Sequence, residues 1–123
     1  MKTKEKILKA ALDLFNIEGI ELVTTRDIAA KTGISQGNLH YHYPNKNLLL
    51  EILFEEYMQQ LNAAERYKGN GMLKEEILLS MKDNFQVIQL YRFTTLDRAV
   101  LWRRVPEAKK PSRNLYNEKR AIS

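Results

Sequence analysis

Residues 24–46 read TTRDIAAKTGISQGNLHYHYPNK, and no other stretch limits the fold as tightly. Thr24 is a natural helix N-cap with Asp27 three residues on, where a short acid also favours the positive helix end. Ile28 and Ala29, with Ala30 as a further candidate, supply an inward face. Gly33 stops this second helix after barely two turns. Ser35 caps a third helix running from about Gln36 to His42, and Pro44 blocks its continuation. Two short helices joined by a glycine turn and closed by proline spell a helix-turn-helix, the unit that sets one short helix in a DNA major groove.

The flanking sequence completes a three-helix head. A first helix is expected from about Lys2 to Asn16. Ile7, Leu8, Ala11, Leu12, Leu14 and Phe15 form its apolar stripe, and Gly19 ends it. Leu12 and Phe15 should cover Ile34 (the buried plug of the turn) and Leu39, with Tyr43 more buried than Tyr41. Gly33 supplies the backbone freedom that the turn needs. Asn45 is a plausible cap for a long fourth helix from about Lys46 to Tyr67, with Leu48, Leu49, Ile52, Leu53, Met58 and Leu61 on its core side. Lys68-Gly69-Asn70-Gly71 reads as a linker. A fifth helix is expected over about Met72–Tyr91, with Leu73, Ile77, Leu78, Met81, Phe85 and Ile88 in one stripe. A single sixth helix is expected over Leu96–Arg104. After Ala108 the sequence shows no periodicity and reads as loose. The fold class is therefore all-α. The expected divisions are a helix-turn-helix head (1–46), a connecting helix (47–68) and a short or partial helical region (72–123).

Composition narrows the function. Hydrophobic residues are 44% of the 123, enough for a core. The net charge of +5 is unevenly spread: residues 1–50 carry +2, 51–90 carry −3 and 91–123 carry +6. A basic head suits a polyanion, and an acidic middle should point away from it. The basic tail is ambiguous between a solvated end and a nucleic-acid-sticky segment. With no cysteine, disulfides and thiolate metal sites are excluded, which fits a cytoplasmic location. There is no apolar run of membrane-spanning length and no signal-peptide pattern at the start. His40 and His42 stand two apart on a helix, do not share a face, and have no partners for a metal set. No nucleophile–base–orienter set is visible, and neither an enzyme nor a cofactor is expected.

The outward side of the third helix offers Gln36, Gly37, Asn38 and Tyr41 as base contacts. Gln and Asn can pair bidentately with an adenine edge, and glycine lets the backbone come close. The plainer alternative for both amides is that they simply face water. Thr24, Thr25, Arg26, His40, His42 and Lys46 are candidate phosphate contacts, which position a head without reading sequence. In the second half, Met72, Met81, Phe85, Tyr91, Phe93 and Trp102 could line an apolar pocket or simply pack between helices. Arg92, Arg98, Arg103 and Arg104 could meet an anionic ligand, Asp97 and Glu107, or water; no pocket can be assigned. If the chain pairs through the exposed side of its fifth and sixth helices, Leu90, Phe93, Val100 and Leu101 are the apolar residues expected at that interface; a monomer or an aggregation-prone fragment is the alternative.

Together these segments resemble the TetR family of bacterial transcriptional regulators. The resemblance rests on Ile7 through Phe15, Gly19, Thr24 through Ala29, Gly33-Ile34-Ser35, Leu39, Tyr41 through Lys46, and Leu48-Leu49, and covers about residues 3–55. It implies an all-helical, usually homodimeric repressor that binds an inverted-repeat operator in double-stranded DNA. It further implies release by a small apolar or amphipathic effector whose binding shifts the fourth helices. His40 stands where the family usually has tyrosine, and members usually extend well past 123 residues. The alternatives are a short or truncated DNA-binding member without effector control, and a helical protein-interaction adaptor.

Overall fold

Seven α-helices and no strand make up the described residues, 1–65 and 74–106, of the computed structural model. They are α1 (Thr3–Glu18), α2 (Thr25–Thr32), α3 (Gln36–His42), α4 (Lys46–Glu65), α5 (Lys74–Leu90), α6 (Phe93–Leu96) and α7 (Arg98–Arg104). The fold is all-α. The expected linker at 68–71 and the loose segment after Ala108 lie outside the described residues, as do Met72 and Leu73.

Local chemistry sets the boundaries of the head. Thr24 Oγ1 accepts the Asp27 N–H at 3.1 Å, while Asp27 Oδ2 accepts the Thr24 N–H at 3.0 Å. This reciprocal box starts α2 by satisfying two amides that the helix cannot. Gly33 ends α2 at φ +82° and ψ +28°. Its N–H reaches Ala30 O at 3.2 Å and the Ile34 N–H reaches Ala29 O at 3.0 Å, the paired bonds of a Schellman stop. Ser35 Oγ caps α3 through the Asn38 N–H at 3.0 Å, and Asn45 Oδ1 caps α4 through the Leu48 N–H at 2.9 Å.

One buried cluster joins both halves of the chain. Ile7, Ala11, Phe15, Ile28, Leu39, Leu49, Leu50 and Leu53 pack with Tyr91, Phe93, Leu101 and Val105. Leu12 and Tyr43 are buried, and the Tyr43 hydroxyl donates to Lys4 O at 3.3 Å. Ile20 and Val23, read from sequence only as connector, are fully enclosed.

Several expectations are corrected. Ile34 is half-buried rather than a sealed plug, because it lies in the turn outside both helices and only leans on the cluster. Ala30 is exposed. The helix expected over Leu96–Arg104 starts two residues later, as α7, and a one-turn α6 that was not expected precedes it; the break falls at Asp97 (φ −110°, ψ +33°), whose carboxylate is turned to the α1–α2 connector. Phe93 and Leu101 are not at a free face: each is 1% exposed, and Phe93 meets Phe15 with ring centroids 5.5 Å apart. Val100 is half-buried and Leu90 exposed. On α5, Leu78, Met81 and Phe85 are exposed, the latter two at 62%, because Val87 lies on the side that packs on the core.

Candidate nucleic-acid interface

α3 presents three kinds of surface. Leu39 points inward and is fully buried. Gln36 and His40, one turn apart, both lean on Thr25 at the start of α2. Gln36 Nε2 donates to Thr25 Oγ1 at 3.2 Å, and His40 Nε2 lies 3.3 Å from the same oxygen. Gly37, Asn38 and Tyr41 face out, with Tyr41 84% exposed. A Cβ at Gly37 would meet nothing within 4 Å, so its value lies in what can approach from outside. The exposed Tyr41 ring is braced edge-on by the half-buried His42, with centroids 5.2 Å apart. The four residues read as base contacts therefore divide: Gly37, Asn38 and Tyr41 are free, whereas the Gln36 amide nitrogen is engaged and leaves Oε1 for another partner.

The candidate phosphate groups divide too. Arg26 is exposed beside the free amides at the start of α2, and Thr24 and Thr25 stand at the same helix end. The bonds from Thr24 hold the Asp27 carboxyl below its ordinary range, with Arg26 adding to the effect, so the acid stays ionised under the helix end. The Lys46 ammonium turns inward and donates to Ile20 O and Val23 O, both at 2.9 Å. Burial, aided by the nearby Arg104 charge and opposed by Glu21, lowers its pKa. Two of its three N–H groups are thus occupied.

The α1–α2 connector is tied to the second half of the chain, which sequence reading did not anticipate. Asn16 donates to Leu90 O at 2.8 Å and accepts the Phe93 N–H at 3.0 Å. Asp97 Oδ2 accepts the Ile20 N–H at 2.8 Å. Gly19, at φ +90°, makes room for that carboxylate: a Cβ there would come 3.1 Å from Asp97 Oδ2. Arg104 pairs with Glu21 at 2.7 Å and donates to Asn47 Oδ1 at 3.2 Å. Arg104, Lys46, Asn47 and Glu51 border an open cleft of about 440 Å³ at the start of α4. Of the other arginines, Arg98 lies over the Trp102 ring at 5.4 Å and Arg92 donates to Gln89 O. A polar residue in the last turn of α1 and an acid just before α7 were the only visible hints. Nothing in a sequence pairs positions that far apart.

Among the described residues no group of His, Asp and Glu could hold a metal ion, and no helix is long and apolar enough to cross a membrane. Residues 7–53 match the sequence model of bacterial regulatory proteins of the tetR family. The chain is 36% identical over 94 residues to the class D tetracycline repressor protein of Escherichia coli, a match covering 68% of this chain and 43% of that protein. It is 46% identical over 54 residues to the HTH-type transcriptional regulator QacR of Staphylococcus aureus, covering 43% of this chain and 29% of that one. The crystal structure of a TetR-family transcriptional regulator from Marinobacter aquaeolei superposes with a TM-score of 0.82 at 32% identity, over 96% of this chain and 59% of that one. A helix-turn-helix head with this cap, turn and stop, on an all-helical body, is the frame of a bacterial regulator. The chain belongs to the tetR family. It spans about half the length of the relatives it matches.

Proposed function

We propose that this chain is a sequence-specific double-stranded DNA-binding transcriptional regulator, a repressor released by a small apolar or amphipathic ligand. The observation that carries the reading is the free, braced side of α3. Gly37, Asn38 and Tyr41 stand clear of their own protein, while Leu39 and the Thr25 contacts fix the helix beneath them. Asn38 reads a base edge, Tyr41 packs on bases or sugar, and Gln36 presents Oε1. Thr24, Thr25, Arg26, His40, His42 and Lys46 set the register on the phosphates. Residues 1–46 act as the head, 47–68 as the connecting helix and 72–123 as the effector and dimerisation region.

A homodimer gives two heads about 34 Å apart on an inverted repeat. The exposed Leu78, Met81 and Phe85 of α5 offer apolar surface for a ligand. Asn84 Oδ1, buried without a hydrogen-bond partner among the described residues, offers an acceptor for an amphipathic one. Ligand-driven movement in the second half would pass to α2 through the ties on Asn16, Ile20 and Glu21, as well as along α4. Selection of duplexes from a random pool, with and without apolar ligands, tests the reading. An inverted repeat enriched without ligand and lost with it is the expected result. No duplex preferred over random competitor at moderate salt refutes it.

A further inference from the structure

We propose that Arg104, carried by α7 to the start of α4, is a DNA-phosphate contact that the second half of the chain lends to the head. This rests on the DNA-binding reading above and adds to it a residue from outside the head. Residues 91–123 carry a net charge of +6, and two of their arginines, Arg103 and Arg104, close the last turn of α7. Arg104 Nε donates to Glu21 Oε1 at 2.7 Å and Nη1 donates to Asn47 Oδ1 at 3.2 Å. A guanidinium has five N–H donors, so three are left. The side chain is 32% exposed and borders the cleft of about 440 Å³ with Lys46, Asn47 and Glu51. The Arg104 hydrogen bond, with the Lys46 and Arg103 charges behind it, holds the Glu21 carboxyl below its ordinary range. Three cations thus gather on one carboxylate. Glu51, the acid in the lining of the cleft, stands one turn along α4 from Asn47, about 6 Å further from the start of that helix.

A run of hydrogen bonds sets this cleft beside the outward side of α3. His40, exposed on α3, lies 3.3 Å from Thr25 Oγ1, and Gln36 donates to the same oxygen at 3.2 Å. The start of α2 therefore flanks that side directly. Lys46 Nζ donates to Val23 O, the carbonyl just before the Thr24 cap, and to Ile20 O, both at 2.9 Å. Glu21 follows Ile20 and holds Arg104. The start of α4 thus lies against the start of α2, and only Tyr43-Pro44-Asn45 separate it from the end of α3. Thr24, Arg26, Tyr41, Pro44 and Asn45 are all exposed around this junction. A strand of phosphates passing α3 on its His40 side meets Thr25 first, then Lys46 and Arg104. The guanidinium fork suits a phosphate, whose oxygens can take two of its donors at once. Glu21 keeps that fork in place between binding events. Its carboxylate is 54% exposed, and an exposed ion pair is weak enough to yield to a phosphate.

The test is the salt dependence of affinity, read by fluorescence anisotropy on a selected duplex. Arg104 also ties the connector to α4, so the decisive comparison is made in a Glu21→Gln background, where the ion pair is already gone. There Arg104→Gln should still lower the slope of log affinity against log salt by about 0.9, the value of one phosphate contact. Arg104→Lys keeps the charge and should keep the slope, with weaker binding because the fork is lost. Glu21→Gln alone keeps Arg104 and removes its competitor, and needs no loss of a buried group. It should bind the duplex more tightly than wild type, by up to about fivefold. Equal or weaker binding by this folded variant means that the pair serves only to brace the connector, and overturns the inference. So does an unchanged slope for Arg104→Gln in the Glu21→Gln background, even where inorganic phosphate is found to bind the cleft. Both results leave the proposed function standing. A wild-type chain that binds no duplex overturns the proposed function and this inference with it.

Discussion

At the scale of single residues, Asn38 and Gly33 make the sharpest demands. Asn38 sits in the first turn of α3; its amide N–H caps on Ser35 while its side chain remains exposed. Asn38→Ala should therefore leave folding intact and relax preference at one position of each half-site. The expected loss of discrimination is about 1–3 kcal/mol, measured by competition between single-base duplex variants. Gly33 is the reverse case, a position of fold rather than reading. Its φ of +82° is strained for an L-residue, yet a Cβ there would meet nothing within 4 Å. The cost of a side chain is thus conformational only. Gly33→Ala should lower stability by about 1 kcal/mol, and Gly33→Asn should lose less, since asparagine tolerates this region. Urea midpoints at constant m-value would show both.

Elements begin and end where short-range chemistry says they should. The Thr24–Asp27 box was legible from two residues three apart, and so were the caps at Ser35 and Asn45. Thr24→Ala should cost about 1 kcal/mol by removing the cap. The box also carries a pH signature. Because the Asp27 pKa is lowered from its ordinary 3.8, its contribution is present above that value and fades as pH falls through the lower folded value. Thermal melts of wild type and Asp27→Asn should therefore converge as pH is taken from 5 towards 2. A difference that stays constant over that window would show that the carboxylate is not what holds the box. Helix α5 shows the limit of such reading. Its apolar stripe was visible, but periodicity says that a side is apolar, not that the fold covers it, and Leu78, Met81 and Phe85 are left exposed.

For the whole molecule, the decisive feature is the junction on the α1–α2 connector. Asp97→Ala would remove the acceptor from the part-buried Ile20 N–H and should cost about 1–3 kcal/mol. Asp97→Asn keeps an oxygen in place and should recover most of that. Denaturation read on both variants, with duplex affinity alongside, checks whether the second half steadies the head. Equal stability of the Ala variant and wild type would show that the tie carries nothing. What the sequence by itself determined is the head: its three helices, their caps, the glycine turn and the free side of α3 follow from residues within four positions of each other. What only the tertiary structure decided is how the rest embraces it. Asn16 meets Leu90, Ile20 meets Asp97 and Glu21 meets Arg104 across separations of 74, 77 and 83 residues. Phe93 and Leu101, apolar enough for an interface, close the core of the head instead. Hydrogen bonding to the next turn is written in local spacing, whereas partners brought together by packing leave no pattern along the chain.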